Sequence, residues 1–202
     1  METSAASHAL SVGCVVLAAG TARRFGQNKL TATLQGRSLI RRALDAVPAR
    51  QLDSVIVVTQ YTEIAELARE YHFTAVRNAH PDWGISHSIS LGLSALHACS
   101  GALFMVADQP LLNRESVSDL VSFWRAHPDR IAALGHNGVR GNPCLFPARF
   151  YPELLALRED HGGNTVIRAH EQDLLLLEVP ARQLSDADTP RALERLRRET
   201  EP

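Results

Sequence analysis

The chain has 202 residues, 21 basic and 22 acidic side chains and a formal net charge of -1. At roughly 150 residues per domain this length holds one large domain or two small ones, and a near-neutral balance excludes the basic excess of a nucleic-acid binder. The longest run without a charged or strongly polar residue, 12–20, falls far short of the ~18 apolar residues of a membrane-crossing helix, so neither nucleic acid nor membrane is an expected partner.

In chain order, the compact apolar run 12–18 reads as a strand buried on both faces, and 38–47 as a helix. Strand 54–59 precedes helix 62–71, where Ile64, Leu67, Ala68 and Tyr71 recur at helical spacing and Thr62 is the expected cap. Helix 86–97 leads to strand 102–107. Helix 113–124 follows, with Asn113 as cap and Val117, Leu120, Val121 and Trp124 as its buried stripe. Strand 131–134 precedes a short strand, 144–146, between Gly141-Asn142-Pro143 and Pro147, expected to be the antiparallel or edge member. Helices 151–157 and 164–171, strand 174–179 and helix 190–198 complete the series, the last with Thr189 as cap and Pro190 at its first position. Strands alternating with helices imply crossovers in a mostly parallel mixed sheet covered on both faces, a three-layer α/β/α domain. One domain over 12–198 is expected, with loose ends at 1–11 and after Leu196. Residues 1–11 carry no basic cluster ahead of an apolar run, unlike a secretory signal. Cys14, Cys99 and Cys144 form no zinc or disulfide pattern, which fits a reducing cytoplasm.

The first strand runs into Leu17-Ala18-Ala19-Gly20-Thr21-Ala22-Arg23-Arg24-Phe25-Gly26-Gln27-Asn28-Lys29. Ligands of open α/β sheets bind at the carboxyl ends of strands. Small residues at Ala18, Ala19 and Gly20 let the backbone come close to a ligand and aim N–H groups at phosphate oxygens. Arg23, Arg24 and Lys29 then supply the charge to neutralise a triphosphate as pyrophosphate leaves. The loop matches neither Gly-x-Gly-x-x-Gly nor the Gly-Lys-Ser/Thr of a P-loop. Lys29 is the only lysine among the 21 basic residues. An isolated lysine is ordinarily a solvated surface group, but its place in this loop makes it a candidate phosphate contact, a compact point charge where arginine offers a planar fork.

Six apolar residues, 102–107, end in Asp108-Gln109-Pro110. A carboxylate at a buried strand tip suits Mg²⁺, whose octahedral shell is completed by substrate phosphates and water; the plainer alternative is a turn-forming aspartate before proline. Ser185-Asp186-Ala187-Asp188-Thr189-Pro190 sets two carboxylates ahead of the last helix. Helix capping alone accounts for acids there, while as partners of Asp108 either is a candidate second metal ligand.

Together, Leu17-Ala18-Ala19-Gly20-x-x-Arg23-Arg24-Phe25-Gly26-x-x-Lys29, Ala107-Asp108-Gln109-Pro110, Gly141-Asn142-Pro143 and Asp186-Ala187-Asp188-Thr189-Pro190 resemble the MobA-like nucleotidyltransferases, most of all the molybdenum cofactor cytidylyltransferases. The likeness covers about Cys14 to Leu193. It implies a Rossmann-like fold, Mg²⁺, an NTP and nucleotidyl transfer with release of pyrophosphate. By resemblance, Gly20, Arg24 and Lys29 contact triphosphate, with Leu17, Ala18, Ala19 and Arg23 in the same loop. Asp108 is then the metal aspartate, and Asp186 or Asp188 the second ligand. Asn78, Gly84, Ser86 and Ser88 fall on a stretch that meets base, ribose or acceptor, and Gly141 and Asn142 on the acceptor half. Leu-Ala-Ala-Gly accompanies cytidine users in this family and Leu-Ala-Gly-Gly guanylyl transfer, so Ala19 points to CTP. The implied acceptor is molybdopterin, and the implied partner a molybdoenzyme apo-protein that receives the product.

The chain departs from the family where Gly-His-Pro is replaced by Gly141-Asn142-Pro143, where Asn-Pro-Asp-Trp is spread out as Asn78-Ala79-His80-Pro81-Asp82-Trp83, and where His161-Gly162-Gly163 stands for Arg-Gly-Ala. These departures lie in the half expected to hold the acceptor. Three other readings therefore stand beside the first: the same chemistry with GTP or another phosphorylated acceptor, a non-catalytic carrier of the cofactor, and a dinucleotide oxidoreductase. The missing glycine fingerprint disfavours the last.

Overall fold

The computed structural model describes residues 10–20 and 28–200. β1 (Val12–Ala18) turns Val12, Cys14, Val16 and Ala18 into one core and Val15 into the other, so its apolar residues run on without alternation. After a 3-10 turn at Lys29–Thr31 come the two-residue strands β2 (Thr33–Leu34) and β3 (Arg37–Ser38). Their turn puts Gln35 and Gly36 at φ 51 and 73, the positive values that a two-residue hairpin needs. α1 (Leu39–Asp45) leads to β4 (Ser54–Thr59), α2 (Thr62–Glu70), β5 (Thr74–Arg77) and α3 (Ile85–Ala95). β6 (Gly101–Val106) is followed by α4 (Arg114–Ala126), β7 (Ile131–His136) and β8 (Val139–Pro147). α5 (Tyr151–Ala156), α6 (Gly163–Ala169), β9 (Leu174–Glu178) and α7 (Pro190–Thr200) close the chain.

Seven strands form one sheet in the order β5-β4-β1-β6-β8-β7-β9. Both pairings of β8 are antiparallel, and the other four are parallel. α1, α2 and α4 pack on one face and α3, α5 and α6 on the other, giving the three-layer α/β/α Rossmann-like architecture expected from the sequence. α3 lies close enough to the sheet that a Cβ on Gly92 would stand 2.3 Å from Cγ1 of Val15. The chain travels outward from β1 through β4 to β5, then returns to β6 on the other side of β1. The carboxyl ends of β1 and β6 thus become neighbours where such sheets bind ligands.

Two expectations are corrected, and three short strands are added. Thr62 does not cap α2: Tyr61 is the capping residue, because the first intrahelical bond runs from the Ala65 amide to the Tyr61 carbonyl at 3.1 Å, with the Tyr61 amide held by Oγ1 of Thr59 at 3.1 Å. The strand at 144–146 is antiparallel as read, but it spans nine residues and lies inside the sheet between β6 and β7, not at an edge. Pro143 is tolerated there because residues 141–143 fall between the paired segments, opposite a register shift at Ala133/Gly135. β5 and the β2–β3 hairpin have no counterpart in the sequence reading. Such short, half-exposed strands carry no apolar periodicity to read.

Of the stretch 1–11, residues 1–9 lie outside those described, while Leu10 packs on the core and the Ser100 amide donates to Oγ of Ser11 at 3.0 Å. Among the described residues no helix is long and apolar enough to cross a membrane, and the three cysteines are free and buried.

Candidate active site

The loop after β1 is held from β4. Oγ1 of Thr59 donates to the carbonyl of Ala18 at 3.0 Å, Nε2 of Gln60 to that of Ala19 at 2.8 Å, and the Tyr61 hydroxyl to that of Gly20 at 2.9 Å. Lys29 opens the following 3-10 turn, capped by Asn28, whose side chain accepts from the Leu30 amide at 3.1 Å. Asp108 stands two residues beyond β6. The segment before α7 is pinned beside it: the Ala187 amide donates to the Asp108 carbonyl at 2.8 Å, and the Ala187 side chain is buried with Leu34, Leu39, Leu193 and Leu196.

These anchors bring one cation between two acids. Nζ of Lys29 donates to Oδ2 of Asp108 at 2.7 Å and to Oδ1 of Asp188 at 2.8 Å. Burial works to lower the Lys29 pKa, but the charges and hydrogen bonds of Asp108 and Asp188 outweigh it and hold it above the usual lysine value, so Lys29 is an ammonium at neutral pH. Asp186 stands in the same field. Partial burial, then the charges of Asp108 and Asp188, raise its pKa against a hydrogen bond from Gln109.

A cleft of about 270 Å³ runs along this cluster, lined by Leu17, Ala18, Ala19, Gly20, Lys29 and Asp108 from the β1 and β6 ends and by Pro81, Gly84, Ile85, Ser88 and Asp160 from elsewhere in the chain. A second chamber of about 160 Å³ adjoins it, since Leu17, Ile85 and Val106 line both. Its polar side chains are Arg140, Asn142, Asn164 and Cys144, and among the described residues no carboxylate lines it. The Arg140 guanidinium is fixed by bonds to the Gly141 carbonyl at 3.2 Å and to Oδ1 of Asn164 at 2.9 Å.

The structure therefore gathers Leu17, Ala18, Ala19, Gly20, Gly84, Ser88, Lys29 and Asp108 at one cleft, with Asp186 and Asp188 beside it and Asn142 in the next chamber. Arg23 and Arg24 lie outside the described residues. Three expected contacts line neither cavity. Asn78 is buried, donating to Oγ of Ser88 at 3.0 Å and accepting from the His80 amide at 2.9 Å. Ser86 is buried with its amide on the Glu159 carbonyl at 3.1 Å, and Gly141 packs against Leu184. Sequence reading missed Arg140 and Asn164. Their signal was adjacency to Gly141-Asn142 and Gly162-Gly163, too faint to single out one arginine among twenty.

Asp108 and Asp188 also answer whether a divalent cation suits this site. Two hard oxygen donors already converge on one positive centre. Mg²⁺ takes one or two carboxylates and fills its shell with substrate phosphates and water; among the described residues no group of three His, Cys, Asp or Glu could hold a metal by protein ligands alone.

A mostly parallel sheet that carries a small-residue loop and Asp108 at adjoining strand ends, with Lys29 bonded to Asp108 and to Asp188 ahead of α7, has the layout of a nucleotidyltransferase. The MobA-like NTP transferase domain model matches residues 14–174, and the chain belongs to that family. The purine catabolism protein PucB of Bacillus subtilis is 28% identical over 197 residues, covering 91% of this chain and 95% of that protein. Rv0371c of Mycobacterium tuberculosis superposes with a TM-score of 0.78 at 23% identity, covering 94% of this chain and 99% of that one. Its complex with manganese gives 0.74 at 22% identity, covering 94% and 100%. Molybdopterin-guanine dinucleotide biosynthesis protein A of Archaeoglobus fulgidus shares the fold with a TM-score of 0.65 at 18% identity, covering 93% and 97%.

Proposed function

We propose that the protein transfers CMP from CTP to the phosphate of Mo-molybdopterin and releases pyrophosphate. The observation that carries this reading is Lys29 held between Asp108 and Asp188 beside the small-residue loop. The acceptor phosphate attacks the α-phosphorus and pyrophosphate leaves, so no side chain need act as nucleophile. Catalysis is then positioning and charge neutralisation. Leu17 to Gly20 cradle the phosphates, and Lys29, with Arg23 and Arg24, meets the leaving pyrophosphate. Mg²⁺ held by Asp108 and Asp188 would supply Lewis-acid stabilisation of the reacting phosphate, and Asp186 adds negative charge next to them. The manganese complex of Rv0371c supports a divalent ion, and Ala19 supports cytidine over guanosine. The same reading takes residues 12–198 as one catalytic domain, working in the cytoplasm and passing its product to a molybdoenzyme apo-protein.

The chamber beside the cleft supports a planar acceptor. Its apolar walls suit a ring, and Arg140, Asn142 and Asn164 offer hydrogen bonds at the ring edge. Arg140→Ala is expected to raise the acceptor KM about 10–100-fold, the loss of one charged hydrogen bond, while the CTP KM stays unchanged; steady-state kinetics with each substrate varied would check this. A second reading, GTP or another phosphorylated acceptor, draws on the family departures, since Asn142, Gly162 and Gly163 border this same chamber.

The deciding experiment is pyrophosphate release with Mg²⁺ and each of CTP, GTP, ATP and UTP, with and without molybdenum-loaded molybdopterin. Release with CTP and the pterin alone is the expected result. Release with GTP moves the assignment to the second reading, and CTP binding without any release makes the protein a carrier.

A further inference from the structure

Three consecutive side chains at the end of β4 bond three consecutive carbonyls at the end of β1: Thr59 to Ala18, Gln60 to Ala19 and Tyr61 to Gly20, at 3.0, 2.8 and 2.9 Å. β1 and β4 are parallel and paired through Ala18↔Thr59, so the series continues the sheet ladder beyond its end with side chains in place of backbone. A trans peptide points its N–H opposite to its C=O. Drawing the carbonyls of Ala18 and Ala19 toward β4 therefore turns the amides of Ala19 and Gly20 away from it. Among the described residues neither amide has an acceptor, although both residues line the cleft. Oriented N–H groups of this kind make a concave site for phosphate oxygens. Without the clamp, the small residues 18–20 have little side chain of their own to hold one backbone conformation.

We propose that Gln60 and Tyr61 are positioning residues for the triphosphate: they hold the Ala19 and Gly20 amides in the orientation that receives phosphate oxygens, without touching the nucleotide. The inference rests on the reading of this loop as the phosphate cradle and is independent of which base or acceptor is used. Thr59 belongs to the same clamp, but it is 1% exposed, so its replacement would confound binding with folding. Gln60 and Tyr61 are only half-buried.

Gln60→Leu and Tyr61→Phe each remove a donor with little change of shape, and Gln60→Glu sets a carboxylate against the Ala19 carbonyl. Affinities for CTP, inorganic pyrophosphate and cytidine are measured by calorimetry, with a thermal melt of each variant. The double variant Gln60→Leu/Tyr61→Phe is expected to bind CTP and pyrophosphate about tenfold more weakly, to bind cytidine as the unmodified protein does, and to leave the acceptor KM unchanged. Gln60→Glu is expected to lose more than Gln60→Leu. Unchanged pyrophosphate affinity in a well-folded double variant overturns the clamp alone, as does a parallel loss of cytidine binding, which would mean general collapse of the cleft. Failure of the unmodified protein to bind either CTP or pyrophosphate overturns the cradle and the clamp together.

Discussion

Lys29→Ala is expected to lower turnover about 10²–10³-fold, the usual effect of removing one charged group from a site that stabilises developing charge, while the protein stays folded. Lys29 is the one lysine of the chain and sits in the cleft with two acids. It bonds both Asp108 and Asp188. Its pair with Asp188, which is more than half exposed, adds at most about 1 kcal/mol; its pair with the more shielded Asp108 costs more to break, so the melt of the variant is expected to fall somewhat without loss of the fold. The raised Lys29 pKa fixes the sign of the pH effect. Its stabilisation is complete below the unfolded lysine value and is lost only as pH rises through the higher folded value, so this group should produce no alkaline fall in activity below about pH 10. Lys29→Arg should restore part of the rate, since its charge is kept but its planar fork does not replace a compact ammonium. Pyrophosphate release and a thermal melt on the same preparations check both halves. Normal turnover by Lys29→Ala would sink the assignment of this cleft.

Gly84→Ala is expected to cost about 2–5 kcal/mol of stability, the sum of a left-handed backbone strain and an overpacked contact. Gly84 precedes α3 at φ 85, and a Cβ there would stand 2.2 Å from the Glu159 carbonyl. That carbonyl also accepts from the Ser86 amide at 3.1 Å, so the clash falls on backbone that has no freedom to swing aside. The next residue, Asp160, lines the same cleft as Lys29. The substitution should therefore lower the Tm by roughly 5–15 °C, given about 2–4 °C per kcal/mol at this size, and raise the nucleotide KM as well. A variant with unchanged melting and KM would show that the Glu159–Asp160 backbone yields without cost.

Much of the cleft was legible in the residues because its parts sit where chain periodicity changes. Leu17 to Gly20 follow directly on an apolar run, and Asp108 ends another. Both runs are buried strands, so the residue after each is carried to the rim. Asn113 was legible as a cap for the same local reason, and its side chain does accept from the Ser116 amide at 2.8 Å. Thr62 was not, because the Ala65 amide bonds the Tyr61 carbonyl and places Thr62 inside the first turn. Asn78 and Ser88 read alike as ligand contacts, yet Asn78 turns inward to hold Ser88, a distinction that depends on packing.

By itself the sequence determined the order of the main strands and helices, though not β2, β3 or β5, together with the three-layer class, the first loop with Lys29, and the aspartates at 108, 186 and 188, since each follows from local spacing. Tertiary structure alone decided that β8 enters the middle of the sheet, that Lys29 bonds Asp188 along with Asp108, and that Thr59, Gln60 and Tyr61 grip the Ala18–Ala19–Gly20 carbonyls. It also decided that Arg140 enters a chamber beside the cleft. These facts join residues from 24 to 159 positions apart. Contacts at that range are set by which strands become neighbours and how their ends align, which local periodicity does not encode.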